Sequence, residues 1–326
     1  MCIDANAASD GAANRILQKA GINCGIACVL GCGDGEFVLE LADESEFLIL
    51  ALDPDPVNVA RTKQQAADAG VLGRRVYVAQ GTTKQIPFAD NYVDVLVLTD
   101  ARSDDLDEEA RREIMRVLTP VRGRAIIGDR VLSKPPLHGA DDWTHRLHGP
   151  DNNPVSSDTV FQMPAMLQCL AMPMQTSFQG TTLVASGRRI ELSDWVTKKP
   201  DRNAIAGKLT ARSLYNGQIL WQRDLPEKLE PDTPICVLDA ERIYLAAGDS
   251  CRVLVIDAET GKDLPSITLG DDDLRVKWLG IEDGRLHALL GPPLPVRAPR
   301  SYMMGGSNRQ IRMNQAAAGR TLVAWD

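Results

Sequence analysis

Between residues 24 and 130, short apolar runs rich in β-formers alternate with segments whose apolar positions recur at helical spacing. The strand-like runs are "IACVLG", "FLILALD", "RRVYVAQG", "YVDVLVLTD" and "GRAIIGD". Between them, "EFVLELAD", "PVNVARTKQQAADAG" and "LDEEARREIMRVL" combine an apolar stripe with a charged face, the mark of surface helices. Strand–helix alternation of this kind predicts an α/β doubly wound parallel sheet with helices on both faces. Ligands of such a sheet bind beyond the carboxyl ends of its strands. No strand pair is recognisable after Asp129, so the predicted domain is minimal.

After "VLSKPPLHGA" the helical period disappears, and short β-runs alternate with Gly, Pro and Asp turns. Three stretches look related. "TTLVASG" leads to "LTARSLYNGQILWQRDL", "ERIYLAAG" to "VLVIDAETGKDLPSITL", and "GRLHALLG", after an interruption, to "TLVAWD". The first two align at Gly217 and Gly261, 44 residues apart, which is the period of a four-stranded propeller blade. Asn216-Gly217 and Thr260-Gly261 suit hairpin turns that need positive φ, and Trp221 is expected to pack between blades. The reading is a Rossmann-like domain over residues 1–133, a linker over 134–160, and an all-β partial propeller of about three incomplete blades over 161–326. Asp326 aligns with Asp257, so the sequence stops mid-blade and reads as a C-terminally truncated fragment with raw strand edges.

Charge narrows the partners. Of 36 Lys+Arg and 44 Asp+Glu, residues 1–133 hold 14 basic and 21 acidic groups. That surplus argues against non-specific nucleic-acid binding, which needs a basic face. No apolar run approaches the roughly 20 residues of a membrane helix, and the N-terminus has no signal-peptide pattern, so the compartment is left open. Residues 292–320, which interrupt the third repeat, hold Arg297, Arg300, Arg309, Arg312 and Arg320 and no acid. Such a loop is a solvated insertion or a contact for an anionic partner.

The seven cysteines are scattered and include no CxxC, so they form no disulfide framework. Cys24, Cys28 and Cys32 sit at a spacing of four in "CGIACVLGCGDGEF". On a strand the first two lie roughly 13 Å apart. They cannot share a metal with bonds of about 2.3 Å and read as small core residues.

The glycines of that stretch carry more. Gly31, Gly33 and Gly35 form G-x-G-x-G between a strand and a helix, without the sixth-position glycine of the dinucleotide fingerprint and without the G-K-[ST] of a P-loop. Asp34 and Glu36 would repel a pyrophosphate, so a cationic ligand needing close backbone approach fits better; S-adenosylmethionine, with its sulfonium, is one. Asp53 ends the second strand, twenty residues after Gly33, where a carboxylate can accept ribose hydroxyls. With "PFADNYVDVLV" and "MRVLTP", these features make residues 21–130 resemble a class I S-adenosylmethionine-dependent methyltransferase domain. The resemblance implies cofactor binding through Gly31, Gly33, Gly35 and Asp53, with Asp100 as the carboxylate on the substrate side. Asp100 also reads as a helix cap for "DDLDEEARR". The family's usual acid two residues before the first glycine is Val29 here, and its Asp after the third strand is Thr82.

The second half resembles the pyrroloquinoline-quinone-type β-propeller repeat, whose members include quinoprotein dehydrogenases and non-enzymatic assembly lipoproteins. The vicinal cysteine pair of those dehydrogenases is missing, which argues against a bound quinone. Between the halves, "HGADDWTHRLHGPDNNPVSSD" holds His138, His145, His148, Asp141 and Asp142. These read as a structured linker with Trp143 and His145 packed on the first blade, or as a metal site. The whole arrangement is similar to a bacterial family, commonly exported, that joins a methyltransferase-like domain to this kind of propeller. It implies a methyltransferase whose propeller presents a small-molecule or protein partner. The alternative is a non-enzymatic scaffold with a relic N-terminal domain, and a quinoprotein oxidoreductase is the third reading.

Overall fold

The computed structural model describes residues 11–99, 106–160, 181–193, 208–224, 235–246, 250–271, 273–292 and 321–325. The chain forms two compact units, the first running to Leu137 and also taking in Tyr215–Gln218, the second beginning at His138.

The first unit opens with α1 (Ala12–Ala20) and continues with β1 (Cys24–Leu30), α2 (Glu36–Glu44), β2 (Glu46–Asp53), α3 (Pro56–Asp68) and β3 (Val76–Gln80). Then come β4 (Val95–Leu98), α4 (Glu108–Val117), β5 (Arg124–Ile127) and β6 (Arg130–Ser133). The sheet order is β3-β2-β1-β4-β5-β6. All neighbours are parallel except the antiparallel β5–β6 pair. β1 sits inside the sheet, and its alternation assigns its side chains to two cores. Ala27 and Val29 pack with Val38, Leu41 and Val59, while Cys28 and Leu30 pack with Ile114 and Val117. Each fully buried aliphatic side chain contributes roughly 1.5–3 kcal/mol. The strand order reverses between β1 and β4, so the loops after these strands border the crevice where such sheets bind ligands.

Helix starts follow local chemistry. The Asp55 carboxylate accepts from Val57 N at 2.8 Å, with Pro56 in the first turn. Asp107, rather than Asp100, caps α4 by accepting from Ala110 N at 2.8 Å, and Glu108 and Glu109 follow in its first turn. Two elements depart from expectation. β6 supplies an antiparallel edge strand where none was recognisable; it has four largely exposed residues and no apolar alternation. α1 lacks a side-chain cap of its own, because Glu40 of α2 accepts from Ala13 N at 3.2 Å.

The second unit holds three antiparallel sheets among its described residues. The first consists of β7 (Thr181–Ala185), β8 (Arg188–Ser193), β9 (Lys208–Ser213) and β10 (Ile219–Asp224), ordered β10-β9-β8-β7. The second is β11 (Cys236–Leu238), β12 (Arg242–Ala246), β13 (Arg252–Asp257) and β14 (Asp263–Thr268), and the third is β15 (Arg275–Glu282), β16 (Arg285–Gly291) and β17 (Thr321–Trp325). β11 lies against both β7 and β15, so the first strands of successive sheets are neighbours. Gly217 and Gly261 have φ of 72° and 69°, as their turns require. Trp221 Nε1 donates to Ala258 O at 3.0 Å, linking the first sheet to the β13–β14 turn of the second. The basic loop falls outside the described residues. Among the described residues no helix is long and apolar enough to cross a membrane.

Candidate functional site

The G-x-G-x-G loop leaves β1 at the carboxyl edge of the parallel sheet. Gly31, Gly33 and Gly35 have φ of 84°, 57° and 96°, values that L side chains rarely adopt. The loop is tied down on the β2 side. Gly31 N donates to Leu52 O at 2.8 Å, Cys32 N to the same oxygen at 3.2 Å, and Gly33 N to Asp53 Oδ2 at 3.0 Å. Gly35 N closes a turn onto Cys32 O at 2.9 Å and starts α2. On the β4 side, Thr99 N donates to Leu30 O at 3.1 Å, and the Thr99 hydroxyl also donates to Gly31 O.

The glycines have different jobs. A Cβ on Gly33 would meet nothing within 4 Å, so the loop crest is open to close approach. A Cβ on Gly35 would lie 3.0 Å from Thr62 Cα, so Gly35 lets α3 pack against the start of α2. The Thr62 hydroxyl bridges the two by donating to Gly33 O and Cys32 Sγ, each at 3.3 Å.

Asp53 ends β2 with 3% exposure. Besides Gly33 N on Oδ2, its Oδ1 accepts from Asp55 N at 2.9 Å and from Asn58 Nδ2 at 3.2 Å. Burial acts to raise its carboxyl, but these donors outweigh burial and hold it below the usual carboxylate range. A carboxylate has about four acceptor positions. The three protein bonds leave room for one more donor rather than for a chelated pair of hydroxyls. Asp53 is therefore first an anchor of the glycine loop, a role the sequence did not suggest.

The loop after β3 forms the third side. Gly81 N donates to Asp53 O at 3.1 Å, and Thr82 pairs with Gln85 in a short bridge. Sequence reasoning missed the residue that fixes the rest. Arg116 of α4 donates to Ile86 O, Phe88 O and Asp90, and it pairs with Glu113 at 2.8 Å. Glu113 in turn accepts from Ile86 N at 2.8 Å. The charged face of α4 thus pins the "IPFAD" segment, and the Glu113-x-x-Arg116 spacing was the available signal.

Of the remaining candidates, Cys32 is part of the glycine loop itself, while Cys28 and Val29 are buried in the apolar cores. Val29 is fully buried in the apolar core, with no acid in its place. Asp100 lies outside the described residues. Cys28 and Cys32 are buried in different clusters, and burial pushes the Cys28 thiol up to about 12. Burial also raises Cys32. Among the described residues no group of three or more His, Cys, Asp or Glu side chains could hold a metal.

Among the described residues, exposed loop backbone and one buried carboxylate with no cationic side chain suit a ligand with a nucleoside and a positive centre better than a pyrophosphate. The family comparison agrees. Residues 28–121 match the family model described as a methyltransferase domain. No curated protein matches the chain. Solved structures that resemble it include a protein of Methanococcus maripaludis provisionally designated an S-adenosyl-L-methionine-dependent methyltransferase. It is 33% identical with a TM-score of 0.33, over 36% of this chain and 52% of that one. YcgJ of Bacillus subtilis is 24% identical (TM-score 0.31; 35% of this chain, 47% of that one). Geranyl diphosphate C-methyltransferase of Streptomyces coelicolor A3(2) is 14% identical (TM-score 0.32; 35% and 42%). The chain thus spans about half the length of the structures it matches. Loop, acidic strand end and family match together place a methyltransferase-type domain over residues 28–121 of the N-terminal unit.

Proposed function

We propose that this protein is an S-adenosylmethionine-dependent methyltransferase whose C-terminal sheets present the methyl acceptor or a protein partner. The observation that carries the reading is the bond from Gly33 N to Asp53 Oδ2 at 3.0 Å, which joins the glycine loop to the acidic strand end. It holds two binding elements in one geometry before any ligand arrives, which lowers the ordering cost of binding.

S-adenosylmethionine supplies an electrophilic methyl group when bound. This chain's residues bind and orient. Gly31 and Gly33 let the ligand approach the backbone, Gly35 sets the start of α2 by admitting α3, and Asp53 offers its remaining acceptor position to a ribose hydroxyl. Arg116 and Glu113 hold the loop that closes the nucleoside side. In-line methyl transfer depends on orientation more than on acid–base help, which fits a site with few titratable groups. Asp100, after β4, is the candidate for facing the acceptor.

The C-terminal unit reads as blades of a propeller of the pyrroloquinoline-quinone repeat type. Three antiparallel sheets in series, with neighbouring first strands and the Trp221 bridge, support this. Its part is a scaffold surface, since the cysteine pair of quinone enzymes is missing.

One observation favours the scaffold alternative. Val29 occupies the position of the family's acid with zero exposure, so the site offers no carboxylate there for the ligand's amino group. Calorimetric titration of the full chain with S-adenosylhomocysteine decides between them, with Asp53→Ala as control. Micromolar binding that the substitution abolishes supports the enzyme. A folded protein that ignores millimolar ligand leaves the scaffold reading.

A further inference from the structure

The segment from His138 to Val160 belongs to the second unit and makes its most unusual contacts. Trp143 and Val184 of β7 exchange two backbone bonds, each 2.8 Å. Leu238 N of β11 donates to Thr144 O at 3.0 Å. Ile281 N of β15 donates to His145 Nε2 at 2.9 Å. Three consecutive residues therefore reach three successive sheets. The expectation that Trp143 and His145 both pack on the first sheet holds for Trp143, but His145 reaches the third.

The three donors are equivalent positions of the repeat. Ala185 pairs with Arg188 across a two-residue turn, Glu282 pairs with Arg285 in the same way, and Asp239 N bonds Arg242 O across another. Val184, Leu238 and Ile281 each stand one residue before those positions. The tripeptide reads the same backbone N–H in each sheet, through Trp143 O, Thr144 O and His145 Nε2. It covers three strand edges that would otherwise need other partners.

The third acceptor differs from the other two because it can be protonated. An Nε2 that accepts from a backbone N–H must be bare, which places the ring proton on Nδ1, where the Thr144 hydroxyl stands at 2.8 Å. We propose that Trp143–His145 is an acid-releasable clasp on the second unit: it ties the three sheets together, and its latch to the third opens when His145 takes up a proton.

The surroundings favour a neutral ring. His145 is 4% exposed. Burial pushes its imidazole down to about 4, with Asp151 favouring the proton and His148 opposing it. Around it, Asp142 faces the β7–β8 turn, accepting from Ser186 N at 3.4 Å, and burial raises its carboxyl. Asp239 beside β11 is engaged by the Glu241 and Arg242 amides, and Glu282 of β15 pairs in register with Arg285. Asp141 accepts from His148 Nε2 and Ser157 N at 2.8 and 2.7 Å. Burial acts to raise the Asp141 carboxyl, but these bonds and one from Ser156 bring it to about 2, below the range that concerns His145.

The sign follows from linkage. Above pH 6.5 the ring is neutral in both folded and unfolded chains and adds no pH dependence. Between 6.5 and 4 the unfolded chain takes the proton first, so stability falls with pH and the unfolding constant rises up to about tenfold per unit. Below 4 both states carry the proton.

The test uses urea unfolding of the full chain between pH 7.5 and 4.5, followed by tryptophan emission. All five tryptophans lie between residues 143 and 325, so the signal reports the second unit. His145→Gln keeps an acceptor near Nε2 and cannot titrate. The unsubstituted protein should lose stability below pH 6.5 relative to His145→Gln. Parallel profiles overturn the proposal. Should His145→Gln not fold, ring nitrogen–proton NMR of the unsubstituted chain decides. A His145 that keeps a bare Nε2 at pH 5 supports the clasp, and one that carries a proton on Nε2 at pH 7 sinks it.

Discussion

Gly33 and Asp53, twenty residues apart in the chain, meet through a 3.0 Å bond from a loop amide to a carboxylate oxygen. Asp53 is structural, and on the proposed function it also faces the ligand, so its removal should show in both measurements. Asp53→Ala should abolish S-adenosylhomocysteine binding. It should also cost about 1–3 kcal/mol of stability, because three donors lose their acceptor. Its carboxyl is lowered in the folded chain, so its stabilisation is complete above the unfolded value of about 4 and disappears as pH falls through the folded one. Thermal scans from pH 5 to 2 should show a shallower acid loss for Asp53→Ala than for the unsubstituted chain. Equal slopes would mean Asp53 gains nothing from its three donors.

The neighbouring glycines should separate binding from stability. Gly33→Ala adds a methyl group to open space, so it costs about 1 kcal/mol for the left-handed backbone alone. On the proposed function the methyl stands where S-adenosylhomocysteine approaches the loop, and its affinity should fall at least tenfold. Gly35→Ala adds the same backbone penalty at φ 96° and a contact 3.0 Å from Thr62 Cα. Its melting temperature should fall by clearly more than that of Gly33→Ala. The reverse order in melting temperature would show that α3 does not need the close approach.

Beneath the sheet, Arg122 pairs with Asp94 at 3.0 Å, with side-chain exposures of 3% and 0%. Asp94 also accepts from Ile26 N of β1 at 2.9 Å, and Arg122 donates to Cys24 O at 3.1 Å. Arg122→Met leaves a buried carboxylate without its cation. Breaking such a pair costs about 3–5 kcal/mol. Urea denaturation followed by far-ultraviolet circular dichroism should register a large loss. A loss under about 1 kcal/mol would show that Ile26 N, the Thr119 hydroxyl and Asn216 Nδ2 satisfy Asp94 without the cation.

What the chain reveals unaided depends on how local each cause is. β1 to β5 and α2 to α4 are legible because their apolar periods, caps and glycines sit within a few residues of the elements they define. α1 is hidden because its cap is Glu40, 27 residues away. β8 is hidden because Glu191 and Arg212 are buried as an ion pair across two strands, which spoils the apolar pattern of "RRIELS". The glycine loop and Asp53 could be named from spacing, but the bond between them could not. His145 was placed on the wrong sheet because which repeat a linker residue reaches depends on the path of the chain, and no short pattern encodes that path.

The Trp221–Gly261 contact gives a test of how the first two sheets of the second unit are joined. A Cβ on Gly261 would lie 2.6 Å from the Trp221 ring, and the turn also needs φ of 69° at that position. Gly261→Ala therefore combines a backbone cost of about 1–2 kcal/mol with a clash against an indole held by its bond to Ala258 O. Trp221→Leu removes the ring and that bond, at about 3 kcal/mol by analogy with large-to-small core changes. The two costs should not add. With leucine at 221 the alanine methyl has room, and Gly261→Ala should then cost only its backbone share. A double-mutant cycle by urea unfolding should show a coupling of at least about 1 kcal/mol. Additive costs would mean the turn moves away from Trp221 without resistance, and the two sheets would be joined instead through Arg188, which pairs with Glu259 at 2.6 Å.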